Sequence, residues 1–400
     1  MDKIAGITAE YNPFHNGHKW QIGEIRSRLG QIPIIAVMSG HFTQRGQPAF
    51  MDKWLRAEAA VRGGVNLVIE LPFHHACKSA EFFARGGTAL LNATGIVTDV
   101  CFGAECDDIN LLSAIAAKSV QTDFTFALKM TLREGQTYAK AVETAVRLFF
   151  PDAPSSVYQP NSILAIEYIK ALNALSSPMR PVAVKRMPAG SWPDGEISDA
   201  RSVRDAIIKS RCPGRDILKA LPPYSAEILR NAFGNGRLLL DDGALEKIAF
   251  YRLRHLAAAK MRKIADCSEG LENRIKKAAL SANSLSALIE RAASRRYPQT
   301  RIMRIISQLI VSNDENPAGA RAPYLRVLAF DGRGRGLIKK IQAESQSPVI
   351  TNLPDFYKKK ASEPAMRGID ADIKATDVFY LLLGENAAGQ DFRKKPVYVS

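Results

Sequence analysis

Ile4-Ala5-Gly6-Ile7-Thr8-Ala9-Glu10-Tyr11-Asn12-Pro13-Phe14-His15-Asn16-Gly17-His18 reads as an apolar strand, a tight Asn-Pro turn and a His-x-Gly-His, directly before a helical pattern over residues 19–29. A strand that turns straight into a helix offers the helix's unpaired N–H donors and partial positive charge to whatever lies over the turn, which is the geometry of a phosphate site. Gly17 lets the backbone come close to a phosphate. His15 and His18, three residues apart at the helix start, can both face the ligand and hydrogen-bond phosphoryl oxygens as negative charge builds up. A preorganised donor of this kind contributes roughly 3–4 kcal/mol of transition-state stabilisation, about 10²–10³ in rate. No nearby carboxylate or third histidine has ligand spacing, so a metal site is not indicated.

Outward from this stretch, β-branched runs at 4–9, 32–38, 65–70, 97–102 and 181–185 alternate with amphipathic segments. That alternation predicts an α/β fold with a Rossmann-like, doubly wound parallel sheet. Residues 187–199 (MPAGSWPDGEISD) read as a long loop. From about residue 201 the pattern becomes helical, clearest over 244–266, with breaks at Cys212-Pro213-Gly214, at Leu221-Pro222-Pro223, over 312–319 and at the glycine-rich 332–336. The expected organisation is a catalytic domain over 1–200 and a mainly helical region over 201–400.

Charge divides the same way. The 400 residues hold 55 Lys and Arg against 40 Asp and Glu, a formal charge of +15. Residues 1–200 carry 19 basic and 19 acidic side chains and residues 201–400 carry 36 and 21, so the whole excess lies in the second half. A neutral half joined to a basic half suggests chemistry in one and polyanion docking in the other. Arg291, Arg295, Arg296, Arg301 and Arg304, with Tyr297 among them, are RNA-contact candidates in which an aromatic could stack on an unstacked base. Gly332-Arg333-Gly334-Arg335-Gly336 with Lys339-Lys340, and Lys358-Lys359-Lys360, add phosphate-contact candidates. His41, Arg45, Lys53 and Arg56 are placed to line the sheet's carboxyl edge, Glu70 suits a structural ion pair, and His74 and His75 read as structural. No run reaches the ~18–20 apolar residues of a membrane helix, and Met1-Asp2-Lys3-Ile4 lacks a signal-peptide layout, so a cytoplasmic location is expected. Five scattered cysteines indicate reduced thiols rather than a disulfide framework.

The stretch resembles the His-x-Gly-His nucleotidyltransferase superfamily. Ala9 to His18, Met38-Ser39-Gly40-His41-Phe42 with Gln44-Arg45-Gly46, Leu67-Val68-Ile69-Glu70-Leu71-Pro72, Phe102-Gly103-Ala104-Glu105 and Gly270-Leu271-Glu272-Asn273-Arg274 together resemble the bacterial tRNA(Met) cytidine acetate ligase family. Tyr324-Leu325-Arg326-Val327-Leu328 and Asp372-Ile373-Lys374-Ala375-Thr376-Asp377 extend the resemblance almost to the C-terminus. It implies that acetate and ATP, with Mg²⁺ on the triphosphate, give acetyl-adenylate and pyrophosphate. The acetyl group then passes to the wobble cytidine of elongator tRNA(Met), forming N4-acetylcytidine. It further implies that Ile7 to Trp20, with Lys19 between His18 and Trp20, wrap the ATP. Gly103 would touch the nucleotide, Asn161 would cap a helix beside it, Arg186 and Met187 would hold it from the end of the fifth strand, and Arg204 would clamp a phosphate.

Two departures stand out. The Tyr-His element usual in the family after Arg186 is replaced by Trp192-Pro193, and Ala165 stands where glycine is usual. Rival readings are an adenylyltransferase making a small dinucleotide cofactor, which would not need the basic half, and a non-catalytic RNA-binding protein, which would not need both histidines.

Overall fold

The computed structural model describes residues 3–186, 199–264, 266–312, 322–358 and 362–400. Met187 and the Trp192–Pro193 departure lie outside the described residues. The five expected strands are present as β1 (Ala5–Ala9), β2 (Ile34–Ser39), β3 (Leu67–Leu71), β4 (Asp99–Ala104) and β5 (Arg180–Lys185). They run parallel in the order β5-β4-β1-β2-β3, so their carboxyl ends share one edge. Burial on both faces explains their near-continuous apolar character, since helices cover both sides of a doubly wound sheet. On one face the helix Asn16–Leu29 packs Ile22 and Ile25 with Ala5, Ile7, Ile34 and Ala36. On the other, the helix Ala80–Ala93 packs Phe83, Leu90 and Leu91 with Ile4, Ile35 and Val37.

The sheet does not stop at residue 200. β6 (Leu325–Phe330) lies antiparallel beside β3, and β7 (Val349–Ile350) and β8 (Val397–Tyr398) pair with β6. The change near residue 200 is therefore one of charge and element type, while the second half returns to extend the same sheet. Between lies a helical body with its own core, in which Leu253, Ile275, Leu288 and Ile306 are buried together.

Two helical expectations are corrected. The stretch 244–266 is not continuous: the helix Gly243–His255 ends where Leu256 becomes extended, and the separate turn Ala258–Met261 follows. The glycine-rich 332–336 is not a break but the first turn of the helix Gly332–Glu344, started by Asp331, whose side chain accepts from the Gly334 N–H at 2.7 Å. Glycine is needed at 334 because a Cβ there would stand 1.9 Å from the Asn66 carbonyl oxygen.

Buried charges fasten this second half to the first. Lys53 Nζ meets Glu70 at 2.7 Å and Asp391 at 2.9 Å, while Arg326 meets Asp391 at 2.5 Å and Glu70 at 3.4 Å. All four side chains are at most 5% exposed. Lys53 and His41, read as possible edge residues, belong to this interior: His41 Nδ1 lies 3.1 Å from Thr376 Oγ1. Glu70 makes the ion pairs expected of it.

Candidate active site

The turn after β1 is held by groups far away in sequence. Arg56, buried on the helix Lys53–Arg62, donates to the carbonyls of Glu10, Ser39, Gly40 and Met51 and ties the ends of β1 and β2 together. Asn12 Oδ1 accepts from Phe50 N at 2.8 Å, and the Phe14 carbonyl accepts from Ser225 Oγ at 2.7 Å. Phe14 is fully buried against Gly63, where a Cβ would come within 2.4 Å of its ring.

So fixed, the chain enters the helix Asn16–Leu29 with His15 as N-cap. His15 Nδ1 accepts from Gly17 N at 2.9 Å, and His18 Nδ1 accepts from His15 N at 3.2 Å, a reciprocal capping box built from two imidazoles. An Nδ1 that accepts a backbone N–H must carry its lone pair there, so the proton of each neutral ring sits on Nε2. The cap thus sets both tautomers and leaves each imidazole an Nε2–H donor. The rings lie 3.8 Å apart between centroids. Burial, followed by the positive charge of Arg186, lowers the pKa of His15 to about 4. Burial, then His15 and Arg186, holds His18 well below the ordinary histidine value. Both rings are therefore neutral donors at pH 7. The helix has no acidic residue in its first turn, so the partial positive charge of its amino end is left for a ligand.

Two guanidinium groups flank the histidines. Arg186 follows β5 with its N–H on the Ala104 carbonyl at 2.8 Å, and its side-chain stem lies over Gly103, where a Cβ would meet Arg186 Cγ at 3.2 Å. Arg204, on the helix Ala200–Ser210, donates to the Asn12 carbonyl at 2.5 Å and to the Ala200 carbonyl at 3.1 Å. Neither makes an ion pair among the described residues, which leaves charge to offer to phosphates. Lys19 is exposed, Trp20 half-buried, and Ile7 and Tyr11 buried beneath the turn.

Asn161 is not a helix cap. It is the second residue of the helix Pro160–Ala174, which Gln159 precedes, and its amide donates to Glu105 Oε1 at 2.6 Å. The capping acceptor is Glu105, whose Oε2 receives Ser162 N at 2.9 Å, because a carboxylate from the end of β4 reaches the free N–H groups that a residue inside the turn cannot. Glu105 is a positioning residue that sequence reasoning missed, although it stood in a motif already quoted; Arg56, read as lining the sheet's carboxyl edge, is there but is spent on backbone carbonyls.

The basic half is less open than its composition. Arg304 is 8% exposed and pairs with Asp266 at 3.5 Å, Arg301 donates to the Asp266 carbonyl at 2.8 and 3.0 Å, and Arg291 donates to the Ser281 carbonyl. Arg296 pairs with Glu269 at 2.7 Å yet stays exposed, as does Arg295.

The family described as HIGH Nucleotidyl Transferase matches residues 2–395. A protein named tRNA(Met) cytidine acetate ligase from Clostridium kluyveri is 36% identical, covering 99% of each chain. One of the same name from Acetivibrio thermocellus is 35% identical over 98% of each. The crystal structure of Thermotoga maritima TmcAL bound with alpha-thio ATP superposes with a TM-score of 0.90 at 30% identity, covering 99% of both chains. Its apo form gives a TM-score of 0.91 at 29% identity.

Proposed function

The chain belongs to the tRNA(Met) cytidine acetate ligase family of HIGH nucleotidyl transferases, and on that premise we propose that it is itself an ATP-dependent ligase that acetylates the wobble cytidine of elongator tRNA(Met). The observation that carries the chemistry is the imidazole capping box, which fixes two neutral Nε2–H donors beside Arg186 and Arg204. ATP lies over the turn between Ile7 and Trp20, with Gly103 and Arg186 at the neighbouring strand ends. An acetate oxygen attacks the α-phosphorus, the bond to the β-phosphate oxygen breaks, and pyrophosphate leaves with the electron pair. His15 and His18 donate hydrogen bonds to the crowded phosphoryl oxygens without giving up a proton, which is electrostatic stabilisation rather than acid catalysis. The cytidine N4 then attacks the acetyl carbonyl, loses a proton and expels AMP. Exposed Arg295 and Arg296 are the foremost RNA contacts on the basic side.

Mg²⁺ would sit on the triphosphate, because phosphoryl transfer needs that charge neutralised. Among the described residues no helix is long and apolar enough to cross a membrane, and a tRNA substrate fits work in the cytoplasm.

The test is pyrophosphate release from ATP with and without acetate and tRNA, with nucleoside analysis of the tRNA. Acetate-dependent release accompanied by N4-acetylcytidine supports the reading. Release without acetate dependence overturns it in favour of a cofactor adenylyltransferase.

A further inference from the structure

The helix Gly243–His255, in the basic half, has two unlike faces. Leu245, Ala249 and Leu253, four residues apart, are buried in the core of the helical body. Lys247, Tyr251, Arg254 and His255 recur at helical spacing on the other side and are exposed. Tyr251 is 65% exposed, so its ring adds nothing to that core. With Phe250 and Asn283 these side chains line an open cavity of about 420 Å³. Small-ligand sites span roughly 300–1,000 Å³.

The lining groups pair one helical turn apart. The Tyr251 and His255 rings lie 4.6 Å apart between centroids, 35° from parallel, and the Arg254 guanidinium stands 4.7 Å from the Phe250 ring centroid. Arg254 Nε donates to the Ala279 carbonyl at 3.2 Å, which fixes the guanidinium in place. Neither Arg254 nor Lys247 makes an ion pair among the described residues. The one carboxylate at the cavity, that of Glu246, is spent on the Leu285 N–H at 2.6 Å. His255 Nδ1 lies 2.8 Å from the Tyr251 carbonyl, which can only accept, so a neutral ring carries its proton there and keeps Nε2 as an acceptor. The cavity thus offers aromatic faces and cations with no free anion beside them.

Its place in the fold suits a large polyanion that must also reach the ATP turn. Arg252 Nε donates to the Leu309 carbonyl at 2.9 Å, tying this helix to the helix Gln299–Val311. From that helix Ser307 Oγ donates to the Gly46 carbonyl at 2.5 Å and Gln308 Nε2 to the Cys77 carbonyl at 3.0 Å. The helical body therefore rests on the loops that leave the carboxyl ends of β2 and β3, the sheet edge that also carries the histidines.

We propose that this cavity receives an unpaired, non-reacting nucleotide of the tRNA, its base stacked on Tyr251 and His255 and its phosphate beside Lys247 and Arg254. The proposal rests on the ligase reading above. None of the lining residues belongs to the ATP turn or to a strand end, so the base held here is an anchor and not the cytidine that is acetylated. A paired base is already stacked on its neighbours and has no face to offer, whereas a splayed loop base gains one from an exposed aromatic ring.

The test compares the intact protein with Tyr251→Ala, with Tyr251→Phe as the conservative rescue that keeps the ring, and with Lys247→Ala, each checked for unchanged Tm. Binding of an elongator tRNA(Met) transcript and of a fully paired RNA duplex of equal length is measured by fluorescence anisotropy across a range of salt, and KM and kcat for tRNA by acetylcytidine formation. Tyr251→Ala should raise the Kd and KM for tRNA about 5–100-fold, the worth of one stacked base, with kcat at saturating tRNA and the Kd of the duplex unmoved. Tyr251→Phe should bind tRNA nearly as the intact protein does. Lys247→Ala should weaken tRNA less and reduce the slope of log affinity against log salt by about 0.7–0.9, the share of one phosphate contact. Unchanged tRNA affinity in a folded Tyr251→Ala overturns the anchor and leaves the ligase reading standing. An equal loss for tRNA and duplex overturns it in favour of a basic face that reads the backbone alone. If the intact protein binds tRNA through Tyr251 but forms no N4-acetylcytidine, the anchor stands and the ligase reading falls.

Discussion

Two regions of this molecule bury polar groups, and they do so in opposite ways. Around Lys53, Glu70, Arg326 and Asp391, two cations and two anions each have opposite charges within 3.4 Å. Around His15 and His18 the rings are neutral, two guanidinium groups make no ion pair among described residues, and the helix amino end carries no acidic residue. Charge balance inside the first region makes it architecture, because every member is answered by the fold. The excess of donors in the second is an invitation to an anion, because the fold answers only one nitrogen of each ring.

Breaking one partner in each region should expose that difference. Asp391→Ala leaves Lys53 and Arg326 with one anion between them and should cost about 3–5 kcal/mol of stability, as removal of one member of a buried charge cluster does. Denaturant unfolding measures it. Unchanged stability would mean that water already screens the cluster. His18→Ala should act in the other currency, lowering the rate of acetate-dependent pyrophosphate release about 10²–10³-fold. Its unfolding midpoint should shift far less than that of Asp391→Ala, since the cap bond it loses is worth only ~1 kcal/mol. A His18 variant that unfolded as readily as Asp391→Ala would place the histidines in the framework rather than in the site.

The same contrast explains what the sequence could tell. The five parallel strands and the His15–Gly17–His18 corner were legible because period, glycine and capping are local, and the corner's chemistry follows from residues three apart. Glu70 as a partner for basic side chains was legible too. The antiparallel return of β6 was not, because Leu325–Phe330 reads as a short apolar run whose place beside β3 is decided by pairing across more than 250 residues. Arg56 was legible as a residue of the carboxyl edge but its role was not, because its guanidinium collects four carbonyls from three separate segments. The arginines between 291 and 304 misled in the opposite direction. Spacing made them one basic patch, whereas the helical body turns Arg301 and Arg304 inward onto Asp266.

Acid should separate the two regions without any mutation. His15 takes up a proton near pH 6.5 when unfolded and only near 4 when folded, so the unfolded chain binds more protons in between, and stability falls as the pH drops through that window. From pH 6.5 to roughly 5 the loss attributable to His15 is about 2 kcal/mol. Asp391 behaves differently. Burial alone would lift its carboxyl, but Arg326 and Lys53 outweigh burial and hold it at about 2. Its contribution is therefore intact above the ordinary aspartate value near 3.8 and is lost only as the pH falls toward 2. Stability measured against pH should thus decline first through the site and later through the ion cluster. In His15→Gln, which cannot titrate, the first decline should flatten while the second persists. A first decline that survives the substitution would belong to the other buried histidines, His18 and His41, which burial holds well below the ordinary value, and His74 and His75, which it lowers to about 4; adding His18→Gln would then separate the site's share from theirs.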